Sequence, residues 1–135
     1  MVAGSIEQFV RQRASDRCEY CLMPQKFHAQ AFHIDHIIAK QHVLDSDLEN
    51  LALACYHCNG KKGPNLSGWD PITKAVVPLF HPRRDKWADH FAWNNGLIVG
   101  LTPAGRVTVH VLNMNVWSAV RLRRALIARK HFFFD

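Results

Sequence analysis

The sequence predicts one α+β domain stapled by zinc. Three observations carry that expectation. The chain has 135 residues, 48% of them hydrophobic, which suits a single domain with its own core and excludes a disordered tail or a low-complexity linker. Its four cysteines fall as two pairs, Cys18-x2-Cys21 and Cys55-x2-Cys58, the spacing of a four-thiolate zinc site. Segments whose apolar residues recur at helical spacing are mixed with segments that alternate with period two.

The elements follow in chain order. Ser5-Ile6-Glu7-Gln8 has the form of a capping box, and Ile6, Phe9, Val10 and Ala14 follow at helical spacing, so a short amphipathic helix is expected over 6–15. Cys18 to Cys21 makes a tight knuckle, and Pro24 blocks a helix there. Residues 32–39 alternate, with Phe32, Ile34, His36 and Ile38 on one face and His33, Asp35 and Ile37 on the other, and predict a strand. The polar residues 40–50 form a loop and Leu51 to Ala54 a second strand. Cys55 to Lys62 turns through the second knuckle into a short helix, which Gly63-Pro64 ends. Residues 64–71, rich in Pro, Gly and Asn, are expected as loop, and 76–80 as an edge strand containing Pro78. Asn94-Asn95-Gly96 and Pro103-Ala104-Gly105 are turn signals, so 97–101 and 106–112 are expected to pair as a hairpin. Asn115 is expected to cap a last helix over 116–130, with Val116, Val120, Leu122, Leu126 and Ile127 apolar and Arg121, Arg123, Arg124, Arg129 and Lys130 basic.

Charge is unevenly spread. The formal net charge is +6, but residues 1–70 carry 7 Lys/Arg against 8 Asp/Glu, whereas residues 71–135 carry 10 against 3, a net of +7. A basic second half favours a polyanionic partner, nucleic acid first; a merely solvated basic face is the alternative. No apolar run approaches the ~20 residues of a membrane span. The stretch MVAGSIEQFVRQR lacks a basic segment followed by an apolar one, so a cytoplasmic location is expected, where paired cysteines argue for metal and against disulfides.

Between the two CxxC pairs sits Asp35-His36. Asn50 follows fourteen residues later, Asn59 stands directly after Cys58, and Lys62 lies three further on. With HIDHIIAKQH, DLENLALAC and YHCNGKKG in that order, the stretch Cys18 to Gly63 resembles the zinc-containing branch of the HNH endonucleases. The resemblance implies a treble-clef-like ββα-metal core over 18–63, stapled by structural Zn²⁺ on Cys18, Cys21, Cys55 and Cys58. A basic extension over 64–135, with a β-hairpin and a helix, completes one domain over 1–135. It implies hydrolysis of DNA phosphodiester bonds with one divalent ion, leaving 5′-phosphate and 3′-hydroxyl ends, double-stranded DNA being the expected partner. His36 then aligns with the general base, Asp35 and Asn59 with ligands of the catalytic ion, Asn50 with the residue that braces the loop behind the base, and Lys62 with a basic position near the phosphate. Lys61, Lys62, Arg83 and Arg84 are assigned to the nucleic acid. Segments of the tail, among them Leu79-Phe80-His81-Pro82-Arg83 and Gly100-Leu101-Thr102-Pro103, resemble the extension of some bacterial HNH proteins, to which no function attaches.

The chemistry is consistent with these roles. A histidine with a pKa of roughly 6.5 is a competent neutral base near pH 7. Two oxygen ligands leave room for water and phosphate oxygens around an octahedral ion, Mg²⁺ or Mn²⁺, with Ni²⁺ as a further candidate. Adjacent strand residues point to opposite faces, so the resemblance implies irregular geometry at the end of the Asp35-His36 strand.

Plainer roles stand beside these. The cysteines read otherwise as buried thiols, His36 as a core histidine, Asn50 as a turn residue and Asn59 as a helix cap. His33 is expected in a structural hydrogen bond, with metal or DNA as the alternative. His57 is expected to be exposed or phosphate-facing, since four thiolates already fill a tetrahedron. Trp69, Trp87, Trp93 and Trp117 are expected in core packing and not as base-stacking platforms. Phe132-Phe133-Phe134 docks on the body or marks an oligomer contact, and a dimeric working form is one option. The rival function is a non-catalytic, zinc-dependent nucleic-acid-binding module. A structural zinc domain comes third, and an RNA substrate stays open. Restriction, mobile-element and phage settings are equally compatible.

Overall fold

A computed structural model describes residues 4–131. The Phe132-Phe133-Phe134 segment lies outside them. The fold is mixed α+β. Helix α1 (Gly4–Arg13) opens it, with Ser5 inside the helix and not at its cap. The first cysteine knuckle follows, closed by an Arg17–Pro24 bridge and by Cys18 N–H donating to the Met23 carbonyl at 3.0 Å. Strand β1 (His33–His36) and strand β2 (Leu51–Ala54) pair antiparallel, with Asp35 opposite Ala52 and His36 opposite Leu51. Helix α2 (Tyr56–Lys62) comes next, Cys55 at its N-cap and Gly63 ending it at φ +49°, a conformation glycine adopts without the Cβ penalty. The two strands, the two knuckles and α2 are thus all where the sequence predicts them. The first strand is shorter than 32–39, because Ile37 and Ile38 bend away to hydrogen-bond Asn50.

The knuckle docks on β2 through one residue. Glu19 N–H donates to the Leu53 carbonyl at 2.8 Å, and Leu53 N–H donates to the Glu19 carboxylate at 2.7 Å. Every residue of β2 is buried, as expected of a strand covered on both faces.

The second half departs from expectation in several places. Residues 64–71 are not all loop, because Ser67–Asp70 forms β3 and pairs with β4 (Ala75–Pro78). The expected hairpin of 97–101 with 106–112 is replaced. The Asn95-Gly96 turn, with φ of 50° and 82°, joins β5 (Phe91–Asn94) to β6 (Leu97–Gly100), preceded by the short helix α3 (Trp87–His90). Residues 106–112 instead continue helix α4 (Pro103–Val111), started by Thr102, whose Oγ1 accepts from Gly105 N–H at 3.0 Å, and by Pro103 in the first turn. Thr-Pro is a helix start; the β-branched run Val107-Thr108-Val109 obscured it. Gly105 permits the close fit of α4 on this hairpin, since a Cβ there would meet the His90 carbonyl oxygen.

Helix α5 (Trp117–Ala128) is the last. Asn115 does not cap it. Its amide holds β6, accepting from Ile98 N–H and donating to the Ile98 carbonyl, both at 2.8 Å. Arg123, expected on the basic face, is buried. It donates to the Gly96 carbonyl at 2.6 Å, the Met114 carbonyl at 2.9 Å and Asn115 Oδ1 at 3.0 Å. Replacing it with methionine strands those acceptors. Arg123→Met is expected to cost on the order of 3 kcal/mol, read as a fall in urea midpoint.

Asp70 ends β3 and is fully buried. It accepts from Arg106 through both carboxylate oxygens (3.1 and 2.9 Å) and from Thr73 Oγ1 at 2.7 Å. These hydrogen bonds, Arg106 foremost, hold its carboxyl well below the usual carboxylate range. A depressed folded-state pKa gives stability that is complete above the unfolded carboxylate range and lost progressively as pH falls from there through the lower folded-state value. Asp70→Asn is therefore expected to lower stability at neutral pH and to flatten its decline in acid, measured as urea midpoints across pH.

One apolar core runs through both halves, from Val10, Tyr20 and Leu53 to Phe80, Phe91, Val107 and Leu126. Trp87 stacks on Trp93 at 5.2 Å and donates from Nε1 to the Tyr20 carbonyl at 2.8 Å. Those two tryptophans pack as expected. Trp69 and Trp117 do not, being 56% and 61% exposed; the Trp117 ring carries the Arg124 guanidinium, 5.5 Å from its centroid.

Candidate active site and zinc centre

The four cysteines converge. Their sulfurs all lie within 4.8 Å of one another, and all four residues are buried. Cys21 Sγ and Cys55 Sγ are 3.9 Å apart, close to the roughly 3.8 Å between sulfurs of a tetrahedral Zn–S₄ centre. Backbone N–H groups of Cys21 and Cys58 donate to Cys18 Sγ and Cys55 Sγ, which supports thiolate charge. The donor set fits zinc.

His36 ends β1, half-buried, with its Nε2 3.1 Å from Ser46 Oγ in the loop over 37–50. Partial burial, and then the Lys40 charge, hold its imidazole below the usual histidine range, so it is neutral near pH 7. Asn50 braces the loop. Its Oδ1 accepts from Ile38 N–H at 2.9 Å, and its Nδ2 donates to the carbonyls of Ile38 and Asp45 at 3.1 and 2.7 Å. His42 Nε2 fastens the outer loop to the Pro64 carbonyl at 2.9 Å.

Asp35 points the other way, since β1 keeps a regular register through His36. The departure from strand geometry begins only after His36, at Ile37 and Ile38. The carboxylate is 6% exposed. It accepts from Tyr20 Oη at 2.8 Å, and Lys62 Nζ stands 3.2 Å from Oδ2 and 3.5 Å from Oδ1. Burial raises its carboxyl above the usual range, against the opposing pull of the Lys62 charge and the Tyr20 hydroxyl. Tyr20 was not singled out from the sequence. A tyrosine inside a buried knuckle must place its hydroxyl on some acceptor, and that was the available signal.

Asn59 lies on α2 and lines a cleft of about 360 Å³ with His33, Tyr56, His57, Gly60 and Lys61. Neither Asp35 nor His36 is part of that lining. The structure thus groups Asn59 with His33 and Lys61, and Asp35 with Tyr20 and Lys62.

Two of the four basic assignments change. Lys62 is 2% exposed and paired to Asp35, so it is not a free phosphate contact. Arg83 pairs with Glu19. Arg106 and Arg123 are likewise engaged internally, so the exposed charge of the second half rests on residues such as Lys74, Arg84, Lys86, Arg121, Arg129 and Lys130. Lys61 and Arg84 remain exposed as assigned. His57 is neither exposed nor phosphate-facing, because its Nε2 lies 2.9 Å from the carbonyls of both Leu112 and Asn113. His33 is exposed with its ring against Tyr56, centroids 6.1 Å apart, in place of the structural hydrogen bond expected of it.

Comparison with known proteins adds two findings. Residues 18–65 match the HNH endonuclease family. The chain is 27% identical over 121 residues to Septu protein PtuB of Bacillus thuringiensis, an alignment covering 88% of this chain and 44% of that protein. The chain thus spans less than half the length of that relative. No solved structure matches.

Proposed function

We propose that this chain, whose residues 18–65 match the HNH endonuclease family, is a nuclease that hydrolyses DNA phosphodiester bonds and leaves 5′-phosphate and 3′-hydroxyl ends. The observation that carries the proposal is the half-buried His36 at the end of β1, hydrogen-bonded to Ser46 in the loop that Asn50 braces, within a segment that holds the four-cysteine cluster and matches a nuclease family. His36 takes a proton from the attacking water. Asn50 closes the loop that carries Ser46, and so sets where the His36 ring stands. Lys61 and Arg84 supply exposed charge for the phosphate backbone. Dependence on Mg²⁺ or Mn²⁺ is part of the proposal. No helix among the described residues is long and apolar enough to cross a membrane.

The test is plasmid cleavage at low salt by the zinc-loaded chain, with EDTA, Mg²⁺, Mn²⁺ and Ni²⁺ in turn. Metal-stimulated nicking is expected. DNA binding with a steep salt slope and no cutting in any metal would favour the rival reading, a zinc-dependent binding module. One observation favours that rival. Asp35 is closed off by Tyr20 and Lys62, which a pure binding domain would tolerate without cost.

A further inference from the structure

We infer that the Lys62 ammonium occupies the cation seat at Asp35, and that a divalent ion enters only when this ammonium leaves. The seat is defined by three oxygens. Lys62 Nζ is 3.2 Å from Asp35 Oδ2, 3.5 Å from Oδ1 and 3.3 Å from the His36 carbonyl oxygen. A carboxylate and a main-chain carbonyl are the hard donors that Mg²⁺ and Mn²⁺ prefer. Here a monovalent side-chain cation uses them all. Tyr20 Oη takes a further lone pair of Oδ2 at 2.8 Å. With Asp35 6% and Lys62 2% exposed, water does not screen the pair.

An ion at ordinary coordination distance, about 2.1 Å from Oδ2, would need the lone pairs that the ammonium holds, and the two cations would repel at close range. Lys62 must therefore swing out. It has the flexible four-carbon stem to do so. The occupant able to draw it away while the ion arrives is the phosphodiester of bound DNA, whose charge replaces that of Asp35 as the ammonium's partner. Lys62 is then a positioning residue that couples ion entry to DNA. This inference rests on the proposed nuclease reading for its DNA arm only; the competition between ammonium and ion stands on the geometry of Asp35 and Lys62.

The experiment measures Mn²⁺ binding to the zinc-loaded full chain without DNA, by titration against the electron paramagnetic resonance signal of free Mn²⁺. Lys62→Gln is expected to tighten Mn²⁺ binding at least tenfold over wild type and to gain a Mn²⁺-dependent rise in Tm that wild type lacks. Adding Asp35→Asn is expected to erase both gains. Equal Mn²⁺ affinity in wild type and Lys62→Gln overturns the inference, as does a gain that survives Asp35→Asn. Should Lys62→Gln not fold, wild type decides by NMR. Mn²⁺ that broadens the Tyr20 and Ile37 amides without DNA overturns the inference. Broadening that begins only with a non-hydrolysable phosphorothioate duplex supports it. A chain that cuts no DNA but shows the Lys62→Gln gain loses the nuclease reading and keeps the seat. A chain that cuts DNA with equal affinities does the reverse.

Discussion

His36→Ala is expected to lower single-turnover DNA cleavage by about 10²–10⁴-fold, the usual contribution of a positioned general base, with DNA affinity unchanged within a few-fold. Three features set this expectation. The imidazole is held below its usual range by partial burial and by Lys40, so at neutral pH it carries a lone pair to accept a proton. Its Nε2 shares a hydrogen bond with Ser46 Oγ, which leaves the other ring nitrogen to complete the tautomer and fixes the ring plane. The loop carrying Ser46 is closed by Asn50 through Asp45 and Ile38. Asn50→Ala is accordingly expected to slow cleavage without touching substrate, through a displaced His36 ring, and to shift the His36 NMR resonances. Gel shift beside the cleavage assay separates lost chemistry from lost binding. Undiminished cutting by His36→Ala would remove the general-base assignment.

Removing the zinc is expected to unfold the chain as a whole. Structural zinc in small domains contributes about 10–16 kcal/mol, whereas an entire domain is stable by about 5–15 kcal/mol, so no margin is left. Cys58→Ser, or extraction with a strong chelator, should abolish the cooperative thermal transition and the near-UV circular dichroism of the buried aromatics. The loss should reach past the cysteines. Trp87 donates to the Tyr20 carbonyl inside the first knuckle, and His57, between the cysteines of the second, is hydrogen-bonded to the chain after α4. Metal analysis should return one zinc per chain. Native near-UV dichroism in a zinc-free sample would defeat this expectation.

The legible parts of the molecule share a physical character. The two knuckles, β1, β2 and α2 are specified within a few residues of themselves, by ligand spacing, by period-two alternation and by Gly63 at a position that needs positive φ. The turn at Asn95-Gly96 was equally local and was found, but its partner strand was not. Residues 106–112 carry valines and a threonine that suit either a strand or a buried helix face, and the choice is made by Gly105 pressing against the His90 carbonyl. That contact joins residues far apart in the chain, and no local pattern reports it.

The candidate site divides the same way. By itself the sequence determined the cysteine knuckles, the hairpin bearing Asp35 and His36, and the match to a nuclease family, because each depends on the order and spacing of residues along one short stretch. The tertiary structure alone decided which charges are available. Lys62 turns inward to Asp35, Arg83 to Glu19, Arg106 to Asp70 and Arg123 to the Gly96 carbonyl. Four cations that look alike in a sequence are thereby engaged inside the fold, Lys62 and Arg123 buried, Arg83 and Arg106 partly exposed. A charge is free or spent according to what faces it across the fold, and at Lys62 and Arg123 burial makes the pairing compulsory, since an unpaired ion there has no water to turn to.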